Sequence, residues 1–357
     1  MGWFKLGGKK DSTPPEPEEA KQSTSTEPSD TPPPEVAAAL EELADRKPPD
    51  ELADLFLIME EHLNELELED IEALVARLAQ PPPLVDKLTS GLDDPEELRE
   101  AILSSPTLSA DVLRVVNSAA FALNSPMSSI DHAVTYLGTT MVKGLVLQSA
   151  VTQVMTFETD VQKAAYMRIW RSSYVASAVA QAYAQQLGLE HPSVYATRAL
   201  LCNVGDLALL SSRPDLAPIY AIKTQLLDRV AAQQHDIMAN SAVLSSMLAK
   251  TWGLPADLCD ALRHALTPLA WAPDSNERSR EQQRDDVLLY LAGRVGDAVA
   301  YNGLKELADF DALAQESPDF FYLPEYLRSL ELGVLLGTLS DDGSGRRVQQ
   351  VVNTFGE

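Results

Sequence analysis

The 357-residue chain is short of the groups on which most protein chemistry is built: five histidines, two cysteines and only 6% aromatic residues. Cys202 and Cys259 stand far apart without a C-x-x-C pair, which excludes a disulfide framework and a zinc ribbon. They read as the reduced thiols of a cytoplasmic protein. His62, His132 and His191 are scattered with no ligand spacing, and the literal dipeptide His235-Asp236 has no upstream histidine at a useful distance, so it reads as surface polarity. No apolar run approaches the roughly eighteen residues of a membrane span. The start, Met1-Gly2-Trp3-Phe4-Lys5-Leu6, lacks the apolar core of a signal peptide, so neither secretion nor membrane insertion is expected. P-loop, G-x-G-x-x-G and G-x-S-x-G turns are missing as well. Positive charge is scarce: 28 Lys and Arg face 53 Asp and Glu, for a net charge of -25. Between Glu35 and Glu100 there are 20 acidic against 5 basic residues, a field that repels phosphate backbones and anionic lipid and argues against generic nucleic-acid binding.

What the chain has in quantity is Ala and Leu within a 45% hydrophobic composition, which favours helix over strand and predicts an all-α protein. Its length exceeds the ~100 to 200 residues of a typical domain, so one large or two linked units are expected. Residues 1–34 are rich in Pro, Ser, Thr and Glu and read as a disordered tail. Trp3, Phe4 and Leu6 beside Lys5, Lys9 and Lys10 form a solvated terminus, with weak peripheral contact to a membrane as the alternative. Residues 35–80 form an acidic helical segment. There Leu52, Leu55, Phe56, Met59, Leu63 and Leu66 are spaced to share one helix face, and Leu-rich faces of this kind call for docking. Pro81-Pro82-Pro83 marks a boundary.

Beyond it, Asp94 before Pro95 and Ser105 before Pro106 read as N-caps followed by proline at the first helical position. Ser129 opens a helix that Gly138 closes, and Asp160 caps a long helix running to Gly188. Pro192 to Leu210 is apolar on all sides, as in a buried central helix. Trp252-Gly253-Leu254-Pro255 separates two helices, residues 271–283 form a polar linker, and residues 284–357 form a C-terminal helical extension, with a helix over about 284–301 and a turn before a short end segment.

Ordered blocks carry a resemblance. Pro83-Leu84, then Leu103-Ser104-Ser105-Pro106-Thr107-Leu108, then Asn117-Ser118-Ala119-Ala120-Phe121 precede a run of Ile130, Ala133, Val134, Leu137 and Gly138. Trp170-Arg171-Ser172-Ser173 and Leu201-Cys202-Asn203-Val204-Gly205 follow, then Trp252-Gly253-Leu254-Pro255 and His264. In this order and spacing the stretch 81–270 resembles an HDOD domain, the HD-related output domain of bacterial signalling proteins. The resemblance implies a multi-helix bundle of two helical lobes, here with added N- and C-terminal helices. Asn117, Ser118, Phe121, Gly138, Trp252, Gly253 and Pro255 are its structural positions.

In active HD hydrolases a histidine on one helix and a His-Asp pair on the next hold a divalent cation that activates water. The resemblance places Ser172, Cys202 and Asn203 at those positions and Asn240 at a further one. Hydroxyl and amide groups are weak ligands and one thiol cannot replace the set, so neither metal nor other cofactor is expected, and no enzymatic activity. Cys202 and Asn203 read as packing residues; the alternative is a ligand or partner pocket of Ser172, Cys202, Asn203 and His264. The implied function is non-catalytic signal transduction through protein partners, with cyclic di-GMP pathways as the context the resemblance supplies. A nucleotide sensor using the relic pocket is the alternative, and residual metal-dependent phosphodiesterase activity a third.

Overall fold

In the computed structural model, residues 32–44, 46–76, 94–117, 126–275, 277–341 and 343–355 are described, and among them there are helices and 3-10 turns but no strand. Residues 1–31 of the tail, Pro81–Pro83, Ser118 and Phe121 lie outside the described residues. In chain order the helices are α1 (Pro34–Ala44), α2 (Asp50–Ala53), α3 (Glu65–Ala76), α4 (Pro95–Leu103), α5 (Pro106–Val116), α6 (Ile130–Val154), α7 (Asp160–Gln186), α8 (Pro192–Leu201), α9 (Val204–Ser212) and α10 (Leu226–Ile237). They continue with α11 (Ser241–Thr251), α12 (Ala256–Arg263), α13 (Thr267–Ala270), α14 (Arg280–Ala300), α15 (Leu323–Ser329) and α16 (Ser344–Phe355).

Local chemistry sets several of these boundaries. Asp94 accepts from the amides of Glu96 (2.7 Å) and Glu97 (3.2 Å), with Pro95 at the first position of α4. The cap of α7 sits one residue before the expected Asp160: Thr159 accepts from Gln162 N, and Gln162 reaches back to Thr159 N, a reciprocal capping box. Gly138 splits α6 with φ 79° and ψ 162°, a conformation open in practice only to glycine.

Two large apolar cores share α7. The first gathers Ile71 and Val75 of α3, Leu98 and Ile102 of α4, the inner faces of α5, α6, α9 and α11, and Trp170 and Tyr174 of α7. The second takes over from Val175, packing Val179 and Tyr183 against Val287, Leu291 and Val295 of α14, with α15, α16 and Leu40 of α1. A smaller third core sets Leu52, Leu57 and Met59 against α10 and α13. The residues expected as a C-terminal extension thus complete the lobe that α7 begins.

Three expected elements differ. The single helix over Leu52–Leu66 is absent: α2 stops at Ala53, and residues 55–59 run without helix. Its backbone is claimed from outside, because Gln234 accepts from Ile58 N (2.8 Å) and donates to Phe56 O (2.9 Å), while Asn240 donates to Ile58 O (2.7 Å). Leu57 and Met59 are buried, while Phe56 is 60% and Leu66 73% exposed. The apolar stretch Pro192–Leu210 breaks at Cys202 and Asn203 into α8 and α9. The polar linker 271–283 is instead packed: Gln283 is buried and bonds Pro273 O and Arg278 O, and α14 begins at Arg280 rather than near 284.

Candidate functional site

The site is built where α7, α8, α9, α10 and α14 meet. Ser172 faces α14 and is 1% exposed. Helices α7 and α14 approach so closely there that a Cβ on Gly296 would stand 2.3 Å from Ser172 O and 2.9 Å from its Oγ. Only glycine fits at 296. The Ser172 hydroxyl donates to Asp297 Oδ1 (2.7 Å), and Asp297 Oδ2 is paired with Arg229 of α10 and with Arg294 one turn before it (3.0 Å).

Arg294 also reaches Asp319 (3.5 Å), whose carboxylate accepts the amides of Leu226 and Leu227 at the start of α10, both at 2.9 Å. The Arg229 guanidinium lies 4.3 Å over the Tyr301 ring. Burial alone would raise the Asp297 pKa, but Arg229, Arg294 and the Ser172 hydroxyl outweigh it and hold the group below the usual carboxylate range. This is a desolvated, charge-balanced network that ties α7, α10, α14 and the Pro318–Phe320 turn together.

One residue along, Asn203 donates to Ser173 Oγ (3.1 Å), and Ser173 donates to Ile169 O. Cys202 contributes its carbonyl to Ser245 Oγ (2.8 Å), which in turn accepts from Gly205 N (2.8 Å). Burial pushes the Cys202 thiol up to about 12, so it stays protonated at neutral pH. Beneath it Asp206 accepts from Tyr220 OH (3.0 Å) and Gln233 Nε2 (2.7 Å). Burial outweighs those bonds and the Arg229 charge, raising Asp206 to about 6.

Asn240 caps α11, accepting from Ala242 N and Val243 N, and its amide donates to Ile58 O and Gln234 Oε1. His264 stands at the end of α12 in a separate ionic cluster. Arg278 donates to its Nδ1 (2.9 Å), grips Asp286 through Nε (2.5 Å) and Nη2 (3.1 Å), and bonds Asp260 (3.1 Å). The same Nδ1 lies 3.0 Å from Asp260 O, and burial, with Arg278 beside the ring, holds the His264 pKa below its usual value.

Of the sequence-derived positions, the fold therefore brings Asn203 onto the neighbour of Ser172 but gives Ser172, Asn240 and His264 three different sets of partners. The Ser172 hydroxyl, the Asn203 amide nitrogen, the Asn240 side chain and His264 Nδ1 are engaged within the protein itself. A divalent ion needs several anionic or imidazole donors converging on one point, and among the described residues no group of three or more His, Cys, Asp or Glu does so. The donor set at Ser172, Cys202 and Asn203 is two neutral polar groups and a protonated thiol, which does not fit such an ion.

Asn117 donates to Leu113 O and Met127 O (both 2.8 Å) and accepts from Met127 N (2.7 Å), closing the chain on either side of residues 118–125. Trp252, Gly253 and Leu254 return their amides to Leu248, Lys250 and Ala249 to end α11, and Pro255 opens α12. Asp297, Arg294, Arg229, Asp319 and Asp206 are not among the positions that motif and spacing singled out. The available signal was Arg294 and Asp297, three apart in the otherwise apolar run from Val287 to Ala300.

With this geometry in hand, the chain can be set beside known proteins. The HDOD domain family profile matches residues 78–268. An uncharacterised protein of Treponema pallidum (strain Nichols) is 25% identical over 203 residues, 55% of this chain; the chain spans little more than a third (37%) of that protein's length. Two crystal structures share the fold. A protein of Shewanella amazonensis SB2B named provisionally as a phosphohydrolase superposes with TM-score 0.50 at 20% identity, over 79% of this chain and 97% of that one. An HDOD domain protein with unknown function from Geobacter sulfurreducens does so with TM-score 0.50 at 17% identity, over 80% and 98%.

Proposed function

Because the chain belongs to the HDOD domain family, relatives of the HD phosphohydrolases, we propose that it is a non-catalytic signalling module that acts by binding other proteins. The observation that carries this reading is the commitment of Ser172. Ser172, which the resemblance sets at the position of an HD hydrolase's first histidine, is buried against α14, and its hydroxyl is spent on Asp297. Cys202 and Asn203 are likewise engaged in holding α7, α9 and α11 in register. With the reactive centre turned into internal bonding, output must come from the outer surface, and helix bundles of this type offer interhelical grooves to partner helices and loops. No helix of the described residues is long and apolar enough to cross a membrane, and the strong negative charge favours protein partners over nucleic acid.

The test is metal analysis and hydrolysis on the purified full chain. After incubation with manganese and desalting, less than a tenth of an equivalent of metal and no turnover of bis(p-nitrophenyl) phosphate or cyclic di-GMP are expected. Stoichiometric metal together with turnover lost on Cys202→Ala would overturn the proposal. Ser172→His, which restores the missing ligand, is predicted to bring no metal and to destabilise the fold by roughly 1 to 3 kcal/mol through overpacking against Gly296, read from the urea unfolding midpoint.

A further inference from the structure

On the flank of α7 away from α14, helices α6, α7 and α16 enclose a half-open cleft of about 670 Å³. That volume lies in the range of small-molecule sites. The Gly138 break forms part of its rim, Gln185 lies on α7, and Arg347, Gln350 and Asn353 line it from α16. Its electrostatics set it apart from the rest of the molecule. Acidic residues outnumber basic ones 53 to 28 in the chain, yet none of the described residues lining the cleft is acidic.

Arg347 has no carboxylate partner among the described residues and makes a single polar contact, 3.5 Å to Ser344 Oγ. Arg198, Arg213, Arg229, Arg278 and Arg294 each hold a carboxylate, while Arg46, Arg168 and Arg280 bond backbone carbonyls. Gln185 and Gln350 are exposed, so their side-chain amides are free to turn to a molecule in the cleft. An amide offers one donor group and one acceptor side by side, and a guanidinium offers the planar fork that matches a carboxylate or phosphate.

We propose that this cleft binds a small organic anion, its carboxylate or phosphate on Arg347 and its uncharged polar body on the amides of Gln185 and Gln350. A cation would find no counter-charge among the described lining residues. A ligand so placed bridges α7 to α16, and α16 packs on α7 and on the 3-10 turn Gly333–Ser340. Occupancy therefore fixes the seat of the last helix. The inference stands apart from the loss of catalysis, since none of its residues belongs to the Ser172 network.

Isothermal titration calorimetry on the full chain at physiological salt tests it. The phosphate arm uses adenosine and guanosine 5'-monophosphates, the carboxylate arm uses the dipeptides Gly-Gln and Gly-Asn, and adenosine and inorganic phosphate serve as controls. The expected result is micromolar binding in one arm, which identifies the anion, and little heat from the controls. Arg347 is exposed, so Arg347→Gln should leave the melting temperature unchanged and weaken that binding tenfold or more, and Gln350→Leu should weaken it several-fold. No binding by any probe at millimolar concentration overturns the proposal, as does binding that Arg347→Gln leaves intact. Inorganic phosphate binding as tightly as a mononucleotide also overturns it, because the amides would then contribute nothing.

Discussion

Asp297 carries more of the structure than any other single side chain at the site, because one carboxylate serves a hydroxyl and two guanidinium groups from three helices. Removing one member of a buried ion pair leaves its partners charged and desolvated, at a cost of about 3 to 5 kcal/mol. Asp297→Ala should therefore lose stability of that order by chemical denaturation, whereas Ser172→Ala, which deletes one neutral donor, should lose only about 1 kcal/mol. Asp206 makes the opposite contribution. Its pKa is raised in the folded chain to about 6 from the ordinary carboxylate value, so the fold favours its protonated form. That stability is fully present below about pH 4 and is lost as pH rises through 6. The two units correspond to on the order of 3 kcal/mol. In Asp206→Asn this loss disappears, so the stability difference between variant and parent should shift in favour of the variant between pH 4 and pH 7.5, followed by urea midpoints. A pH-independent difference would show that Asp206 is ionised in the fold at no cost. Of these side chains only Ser172 stood out in the sequence; Arg294 and Asp297, three apart in an apolar run, offered a signal that was passed over. Arg229 lies 68 residues from its partner, a distance at which no spacing rule operates.

Helices were legible wherever a cap or a turn announced them, as at Asp94 and at Gly138. The Gly138 case is quantifiable: nothing lies within 4 Å of a Cβ built there, so the cost of Gly138→Ala is purely that of the backbone conformation, roughly 1 to 3 kcal/mol. Thermal unfolding should show it. A loss well below 1 kcal/mol would mean that α6 straightens through residue 138 on substitution. Periodicity failed where distant side chains outcompeted it. Residues 52–66 have the apolar spacing of a helix, but Gln234 and Asn240 supply the hydrogen bonds that Phe56 and Ile58 would have made to their own turn. The break at Cys202 and Asn203 is of the same kind: the Cys202 carbonyl bonds Ser245 of α11, and Asn203 reaches α7. In both places the missing information was tertiary, and the polar residues that supplied it carried no local signature. The His264 cluster was equally hidden, since it depends on Arg278 folding back from a segment that reads as a linker.

At the scale of the whole molecule the acidic segment is part of the body. Leu40 enters the second core, Leu52, Leu57 and Met59 make the third, and Ile71 and Val75 close the first. A chain beginning at residue 78 would expose apolar surface in all three cores. It is predicted to show depressed melting and raised binding of a hydrophobic dye relative to the full chain, whereas deletion of residues 1–31 should change neither. The outer face of that segment keeps its charge. Glu60 meets Lys250 and Arg263, and Glu41 meets Arg328, pairs exposed enough to add little. The family match ends at residue 268, yet α7 does not end its work there: its second half, from Val175 through Tyr183, is sealed by α14 and the helices after it. The recognisable domain is therefore not a portable part. Grafted alone onto another protein it would arrive with one side of its longest helix wet, so in this chain the module and its flanks can only be inherited together.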